Sequence, residues 1–121
     1  NTPLMSATIK NNAPLVELLL AKGANPNIVS GDLSRPPLID AARIGSYTIC
    51  ESLLQKGAHV NAADDDGWTS VMMAAGKGHQ RVVELLVKHG ADLSMKTKWG
   101  GTAVGAARDG GHTALAAWLR K

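Results

Sequence analysis

The fold of this chain is decided by residues 66–92, which read DGWTSVMMAAGKGHQRVVELLVKHGAD. Small and apolar residues come first, a Gly-His pair follows at residues 78–79, and aliphatic residues then recur three and four positions apart. Spacing of this kind predicts helices that each bury one face. The stretch therefore predicts two short helices, separated by a glycine break and followed by a second glycine, Gly90, that ends the second helix.

The same pattern recurs along the chain with a period of 33 or 34 residues. The motif that opens the first helix begins at residues 2, 36, 69 and 102. A Gly-Ala pair follows the second helix at residues 23–24, 57–58 and 90–91. A fixed period of this length indicates an array of helical repeats, in which each unit buries its apolar face only against its neighbours.

In its period and in these motifs the sequence resembles the ankyrin repeat family, whose signature opens the first helix with Thr-Pro-Leu-His-x-Ala. The resemblance covers nearly the whole chain, with repeats at about residues 1–31, 32–63, 64–96 and 97–121, of which the first and last are incomplete. It implies an all-α solenoid of stacked helix-turn-helix units with protruding β-turn loops. The histidine of the signature is absent, and its places are taken by Met5, Ile39, Met72 and Gly105.

Local chemistry predicts where these helices begin and end. Thr2 and Thr69 precede first helices and are predicted to cap them with their hydroxyls, while Pro3 suits a first helical turn. Asn11 stands where other repeats have a helix-ending glycine, and asparagine is the next-best residue for a left-handed conformation. Gly105 lies inside the first helix of the last repeat, where glycine costs about 1 kcal/mol relative to alanine.

Composition narrows the class of protein. Hydrophobic residues make up 45% of the chain and Phe is absent, so the core must be aliphatic. The net charge of +3 is spread over interspersed Lys and Glu, which bears on solubility more than on nucleic-acid binding. No apolar stretch is long enough to span a membrane. Because the chain begins at Asn1, inside a motif, we expect it to be a fragment of a longer protein.

The sequence offers no set of residues for catalysis, for a metal or for a cofactor. Cys50 aligns with Val16 and Val83, so it is predicted to be a buried, inert thiol. A single cysteine also suits a reducing compartment, either cytoplasmic or nuclear. The three aspartates at residues 64–66 indicate a polar turn before Gly67, because the Gly and Glu of a calcium loop are misplaced. We therefore expect a non-enzymatic protein.

The resemblance implies that partners bind on a concave face formed by the loop tips and the exposed side of the first helices. The positions of this sequence that match that face are Ile9, Lys10, Arg35, Arg43, Ile44, Asp65, Asp66, Trp68, Lys77, Lys98, Trp99 and Asp109. Tryptophan is enriched at binding hot spots, which favours Trp68 and Trp99 as contacts. The alternative is that each ring folds over its own loop. Trp118, on a second helix, is predicted to pack.

The leading hypothesis is a monomeric module that binds another protein, whose identity the sequence does not give. A second hypothesis is that a basic stripe binds an acidic ligand such as nucleic acid or a phosphoinositide, and its residues would be Lys10, Arg35, Arg43, Lys77 and Lys98. The aspartates among them dilute this stripe and make nucleic acid the less favoured partner. A third hypothesis makes the chain the targeting segment of a larger enzyme.

The resemblance also implies a modification. Asn27 and Asn61 occupy the loop position on which asparagine hydroxylases act in similar proteins. The structural alternative is that each asparagine hydrogen-bonds the backbone of its loop, and this is the favoured interpretation.

Overall fold

The computed structural model of the chain describes residues 2–29, 31 and 34–120. These residues form the helices α1 (Pro3–Ile9), α2 (Ala13–Ala21), α3 (Pro37–Ile44), α4 (Tyr47–Gln55), α5 (Ser70–Gly76), α6 (Gln80–Lys88), α7 (Ala103–Asp109) and α8 (Thr113–Leu119). Within the described ranges there is no strand, only an isolated antiparallel bridge between Ala63 and Thr69. The prediction of an all-α array of helix pairs is confirmed.

The helices form two layers. In the first-helix layer, α1 packs on α3, α3 on α5, and α5 on α7. In the second-helix layer, α2 packs on α4 and α4 on α6. Each first helix also packs against the second helix of its own repeat. Of the helices described, none is both long enough and apolar enough to cross a membrane.

The core lies between these two layers and is aliphatic, as the composition predicts. The first helices contribute alanines such as Ala41 and Ala74, both fully buried, which let neighbouring helices approach closely. The second helices contribute larger side chains, of which Ile49, Leu53 and Leu86 are also fully buried. Each repeat therefore depends on its neighbours for the burial of its apolar face.

The predicted helix ends are largely confirmed. Pro3 and Pro14 lie in the first turns of α1 and α2, where a missing amide costs no helical hydrogen bond. Gly45 ends α3 with a φ of 87°, in the left-handed region that favours glycine. Asn11 takes the same region with a φ of 56°, so it substitutes for glycine as predicted.

Thr69 is the N-cap residue of α5, as predicted, but its hydroxyl makes no capping hydrogen bond. The Thr2 hydroxyl oxygen accepts a hydrogen bond of 3.1 Å from the Met5 amide, and Thr102 caps α7 in the same way. The hydroxyl oxygen of Thr69 is buried and has no hydrogen-bond partner among the described residues. Instead, the Thr69 amide donates to the sulfur of Met72, at 3.5 Å. The methionine side chain, and not the hydroxyl, therefore satisfies a polar group at the start of α5.

Asparagine side chains join the loops of successive repeats. The Asn27 side-chain oxygen accepts from the His59 amide at 2.9 Å, and its nitrogen donates to the Gly57 carbonyl at 3.1 Å. Asn61 makes the same pair of bonds to the following loop, at 2.7 and 3.2 Å. Both asparagines therefore bond loop backbone, as the structural interpretation predicts, but that backbone belongs to the loop of the following repeat and not to their own loop. Their hydroxylation stays a prediction from the resemblance.

Candidate functional site

The two loop-tip tryptophans differ in exposure. Trp99 lies in the loop between α6 and α7, and 69% of its surface is exposed. Trp68 lies just before α5, is half-buried and packs against the hydrophobic core. Trp118, in α8, also packs against the core, as predicted. Trp68 therefore folds partly over its own repeat, whereas Trp99 presents most of its ring to solvent.

A groove of about 350 Å³ brings both tryptophans together with Asp109 at the end of α7. The other residues that line this groove are small or polar: Thr97, Gly100, Gly101, Thr102, Gly105, Ala106 and Arg108. We call this cavity the Trp groove. Three residues that the sequence predicts for the binding face thus share one concave site, which is the geometry that a protruding side chain needs.

Lys98 contacts the exposed ring of Trp99 from one side and is itself paired with Asp66. Its ammonium nitrogen lies 2.9 Å from Asp66 Oδ1 and 5.1 Å from the centre of the Trp99 ring. Its backbone amide also donates to the Asp66 carbonyl, at 2.9 Å. An exposed ion pair contributes at most about 1 kcal/mol, and a cation over an indole contributes about as much. Together these contacts favour one orientation of the Trp99 loop before any partner binds.

Each of the two loops that carry Trp68 and Trp99 is stabilised by hydrogen bonds between one of its side chains and its own backbone amides. The carboxylate of Asp64 accepts hydrogen bonds from the amides of Asp66 and Trp68, at 2.9 and 3.0 Å. One repeat later the Thr97 hydroxyl accepts two loop amides in the same way, at 3.3 and 3.0 Å. The predicted turn at Asp64 is confirmed. Across the described part of the chain, no three His, Cys, Asp or Glu side chains are grouped closely enough to hold a metal ion.

Arg35 and Arg43, both predicted for the binding face, are engaged with buried carboxylates. Arg35 Nε lies 3.3 Å from Asp64 Oδ2, and its Nη1 lies 3.7 Å from Asp40 Oδ1. Arg43 Nη2 lies 3.2 Å from the same oxygen of Asp40. The side chains of Asp40 and Asp64 are 8% and 0% exposed, so both need these cations. The two arginines therefore stabilise the stack, whatever else they contact.

The remaining predicted residues lie apart from the Trp groove. Lys10 and Lys77 follow the ends of α1 and α5 and are exposed. Ile44, at the end of α3, is half-buried, and Asp65 is exposed on its loop. Ile9 is 47% exposed. These side chains extend along the first-helix layer and are available to a partner that covers several repeats.

The structure adds residues that the sequence did not single out for the site. Asp40 and Arg108 had no motif around them, and only the packing of neighbouring repeats shows their place. Gly105 did carry a signal, because it alone lacks a side chain where the other three repeats have Met or Ile. That signal was interpreted as a weakness of α7 and not as an opening in the surface.

His79 has a structural role between two repeats. Its Nε2 lies 3.1 Å from the Arg43 carbonyl oxygen of the preceding repeat. Its ring packs so closely on Gly45 that a Cβ there would lie 2.6 Å from the ring. The pair of a left-handed glycine and a histidine one repeat later therefore fixes the spacing of the two repeats.

Cys50 is fully buried in α4, and burial raises the pKa of its thiol from 9.0 to about 12. The nucleophilic thiolate is therefore strongly disfavoured in the folded chain. The prediction of a buried thiol is confirmed, and the raised pKa favours the prediction that it is inert.

The raised pKa of Cys50 predicts how stability depends on alkaline pH. Above about pH 9 the unfolded chain loses the thiol proton while the folded chain keeps it, so stability falls between pH 9 and 12. The slope from this group is about 1.4 kcal/mol per pH unit. We expect urea unfolding to show a constant stability difference between the wild type and Cys50→Ala below pH 9, and a shrinking difference above it. A difference that stays constant above pH 9 would contradict the pKa shift.

Stacked helix pairs with protruding loops define a helical-repeat protein. A family model described as ankyrin repeats, in three copies, matches residues 1–64 and 38–121. The chain belongs to the ankyrin repeat family. Ankyrin repeats generally mediate protein–protein interaction and are typically not enzymes.

Known relatives differ widely in length. Cyclin-dependent kinase 4 inhibitor B of Rattus norvegicus is 35% identical over 117 residues, which cover 96% of this chain and 88% of that protein. An ankyrin repeat-containing protein of Treponema pallidum is 32% identical over 88% of the chain and 36% of its own length. Alpha-latrocrustotoxin-Lt1a of Latrodectus tredecimguttatus is 39% identical over 79% of the chain. The chain spans only 7% of that toxin.

Proposed function

We propose that this chain binds a partner protein through its loop tips and the exposed side of its first helices, with the Trp groove at the centre of the contact. The observation that carries the proposal is Trp99, a large aromatic side chain that is 69% exposed beside a groove. An exposed aromatic surface next to a concavity is typical of interaction sites. Tryptophan is also among the residues that most often dominate binding energy.

Pre-organisation of the loops supports the same function. Asp64 and Thr97 fix the two loops by hydrogen bonds to their amides, and Lys98 holds the Trp99 ring from one side. A partner that meets an ordered surface loses less conformational freedom in binding, so more of the contact energy appears as affinity. The surface is thus suited to recognition without a large rearrangement.

The charge arrangement favours a protein partner over an acidic ligand. Of the five cations in the hypothetical basic stripe, Arg35, Arg43 and Lys98 are paired with carboxylates. Pairing removes most of the field that would attract phosphates. The relatives named above include a kinase inhibitor and a toxin, which shows that the fold alone does not fix the partner. We propose a monomer that acts in the cytoplasm or nucleus.

The test is a comparison of Trp99→Ala with Leu18→Ala. Leu18 is 50% exposed on α2, so its loss removes a similarly exposed apolar side chain from a different face. Proteins retained by the wild-type chain are identified, purified and titrated against both variants by calorimetry. We expect at least about tenfold weaker binding for Trp99→Ala, as for a hot-spot residue, and unchanged binding for Leu18→Ala.

Two results would contradict the proposal. Equal binding by the wild type and Trp99→Ala would remove the loop tips from the contact. Affinity that falls steeply with salt, and that is lost in a Lys10/Lys77 double alanine variant, would favour the acidic ligand instead. Thermal unfolding of each variant checks that the fold is intact.

A further inference from the structure

A second groove lies on the other layer of the stack, between the second helices α4 and α6. It has a volume of about 280 Å³ and is lined by Tyr47 from α4 and by Arg81, Glu84, Leu85 and Lys88 from α6. We call it the Tyr47 groove. Both helices lie in the middle of the array, since α2 packs on α4 and the pair α7 and α8 follows α6. A further repeat at either end of the stack would therefore not cover this groove.

An aromatic ring orients the arginine of the Tyr47 groove. The guanidinium carbon of Arg81 lies 4.6 Å from the centre of the Tyr47 ring. Tyr47 is half-buried and packs against the core, whereas Arg81 is exposed. A cation–π contact leaves N–H groups of the guanidinium available for a planar acceptor such as a carboxylate. Because the ring already restricts Arg81, less conformational freedom is lost when such an acceptor binds.

The pair of Tyr47 and Arg81 is not part of the repeat pattern. The places of Tyr47 in the other repeats are taken by Ala13, Gln80 and Thr113, and those of Arg81 by Pro14, Thr48 and Ala114. The other repeats therefore stack without an aromatic residue or an arginine at these positions. The pair is a feature of one surface and not a requirement of the fold.

The Tyr47 groove carries more positive than negative charge. Arg81 and Lys88 are exposed, and neither forms a salt bridge with a carboxylate in the described parts of the chain. The one carboxylate of the groove belongs to Glu84, which accepts a hydrogen bond of 3.0 Å from the side chain of Gln80. Exposed cations without carboxylate partners attract acidic groups.

The spacing of the two cations determines which acidic groups fit. Arg81 and Lys88 are separated by two turns of α6, or about 10 Å along the helix. Glu84 lies between them on the same face, so it repels an acidic group at the middle of the groove. The complementary ligand has two acidic groups about 10 Å apart and no charge between them.

We propose that the Tyr47 groove binds an acidic segment of a protein, with one carboxylate on Arg81, a second on Lys88 and uncharged residues facing Glu84. A carboxylate suits Arg81 because the two groups can form a pair of parallel hydrogen bonds. A nucleic acid suits the groove less well, since it carries a phosphate at every residue and would place one beside Glu84. The Tyr47 groove is separate from the Trp groove, and the inference does not rest on the function proposed above.

The probe is the peptide acetyl-Glu-Pro-Pro-Glu-amide. Proline favours the polyproline II helix, in which residues three apart lie on the same side and are separated by about 9 Å. Nitrogen-15 NMR spectra of the whole chain report on the groove through Arg81 Nε–H and the backbone amides of Leu85 and Lys88. We expect saturable shifts of these signals with a Kd of roughly 1–10 mM, as for a small ligand held by two exposed ion pairs. Acetyl-Gln-Pro-Pro-Gln-amide should produce none.

Substitutions of exposed side chains test each charge without disturbing the core. Arg81→Gln and Lys88→Gln should each weaken the probe about two- to fivefold, whereas Glu84→Gln should tighten its binding. Lys22→Gln removes the same charge at the end of α2, away from the groove, and should leave the affinity unchanged. An equal loss in Lys22→Gln, or equal binding of the glutamine peptide, would indicate attraction without a specific site and overturn the inference.

Two further measurements decide between this inference and its alternatives. If inorganic phosphate shifts the same signals at lower concentrations than the peptide, the groove is a phosphate site and the inference is wrong. Trp99→Ala should leave the Kd of the peptide unchanged, so the two proposals can fail separately. Weaker partner binding by Trp99→Ala without any binding of the peptide would retain the proposed function and reject the Tyr47 groove. Peptide binding together with equal partner binding by the wild type and Trp99→Ala would do the reverse.

Discussion

Replacing Leu53 with alanine is expected to lower the free energy of unfolding by about 3–4 kcal/mol. Leu53 lies in α4, which packs between α2 and α6, and its side chain is fully buried. The substitution removes apolar surface from the core and leaves a cavity that the surrounding helices fill only in part. Urea unfolding followed by circular dichroism measures the change, with an m-value that stays the same if the denatured state is unaffected.

Two further Leu→Ala variants control for position in the stack. Leu119 stands at the equivalent place in the last repeat and is 5% exposed, so we expect a smaller loss there. Leu18 is 50% exposed, and its replacement should change stability by no more than about 0.5 kcal/mol. Equal losses for the three variants would contradict the view that stability comes from contacts between neighbouring repeats.

The helices could be predicted from sequence because their boundaries depend on short-range chemistry. The left-handed conformation of Asn11 and the φ of 87° at Gly45 are properties of single residues that the repeat ladder places in register. Pro3 likewise has a fixed φ that suits a first turn wherever a helix begins. Four copies of such signals in phase determine the order and type of the elements without knowledge of any contact.

Side-chain partners could not be predicted in this way. Arg35 and Asp64 are 29 residues apart, and only the packing of two loops brings them within 3.3 Å. The error at Thr69 has a similar origin, because the sequence does not show that the sulfur of Met72 lies where it can accept the Thr69 amide. Local propensity predicts that a helix begins there, but not which atom satisfies its polar groups.

In the candidate site, too, the positions of residues could be predicted from the sequence, but their surroundings could not. The positions of Trp68 and Trp99 follow from the repeat ladder, and both were predicted for the binding face. Their different exposure depends on the shape of the surface around them. The Trp groove depends on Gly105 and on side chains from two loops and one helix, so its existence is a tertiary property.

Replacing Asp64 with alanine is expected to cost about 3 kcal/mol of stability and to weaken partner binding as well. The buried carboxylate accepts from the amides of Asp66 and Trp68 and pairs with Arg35. Alanine would leave two half-buried loop amides without their acceptor and Arg35 with only its longer contact to Asp40, and partly buried donors without acceptors are costly. The loop that positions Trp68 would loosen, so urea unfolding and partner titration should both report the change.

Asp64→Asn separates the hydrogen bonds of this residue from its charge. Asparagine keeps an oxygen that can accept the amides of Asp66 and Trp68 but loses the ionic attraction to Arg35, so we expect a smaller loss of about 1–2 kcal/mol. A double-mutant cycle with Arg35→Met measures the pair directly. Because the Arg35 side chain is 28% exposed, solvent screens it, and a coupling of about 1 kcal/mol is expected. If Asp64→Asn were as damaging as Asp64→Ala, the ion pair and not the turn would be the main role of this carboxylate.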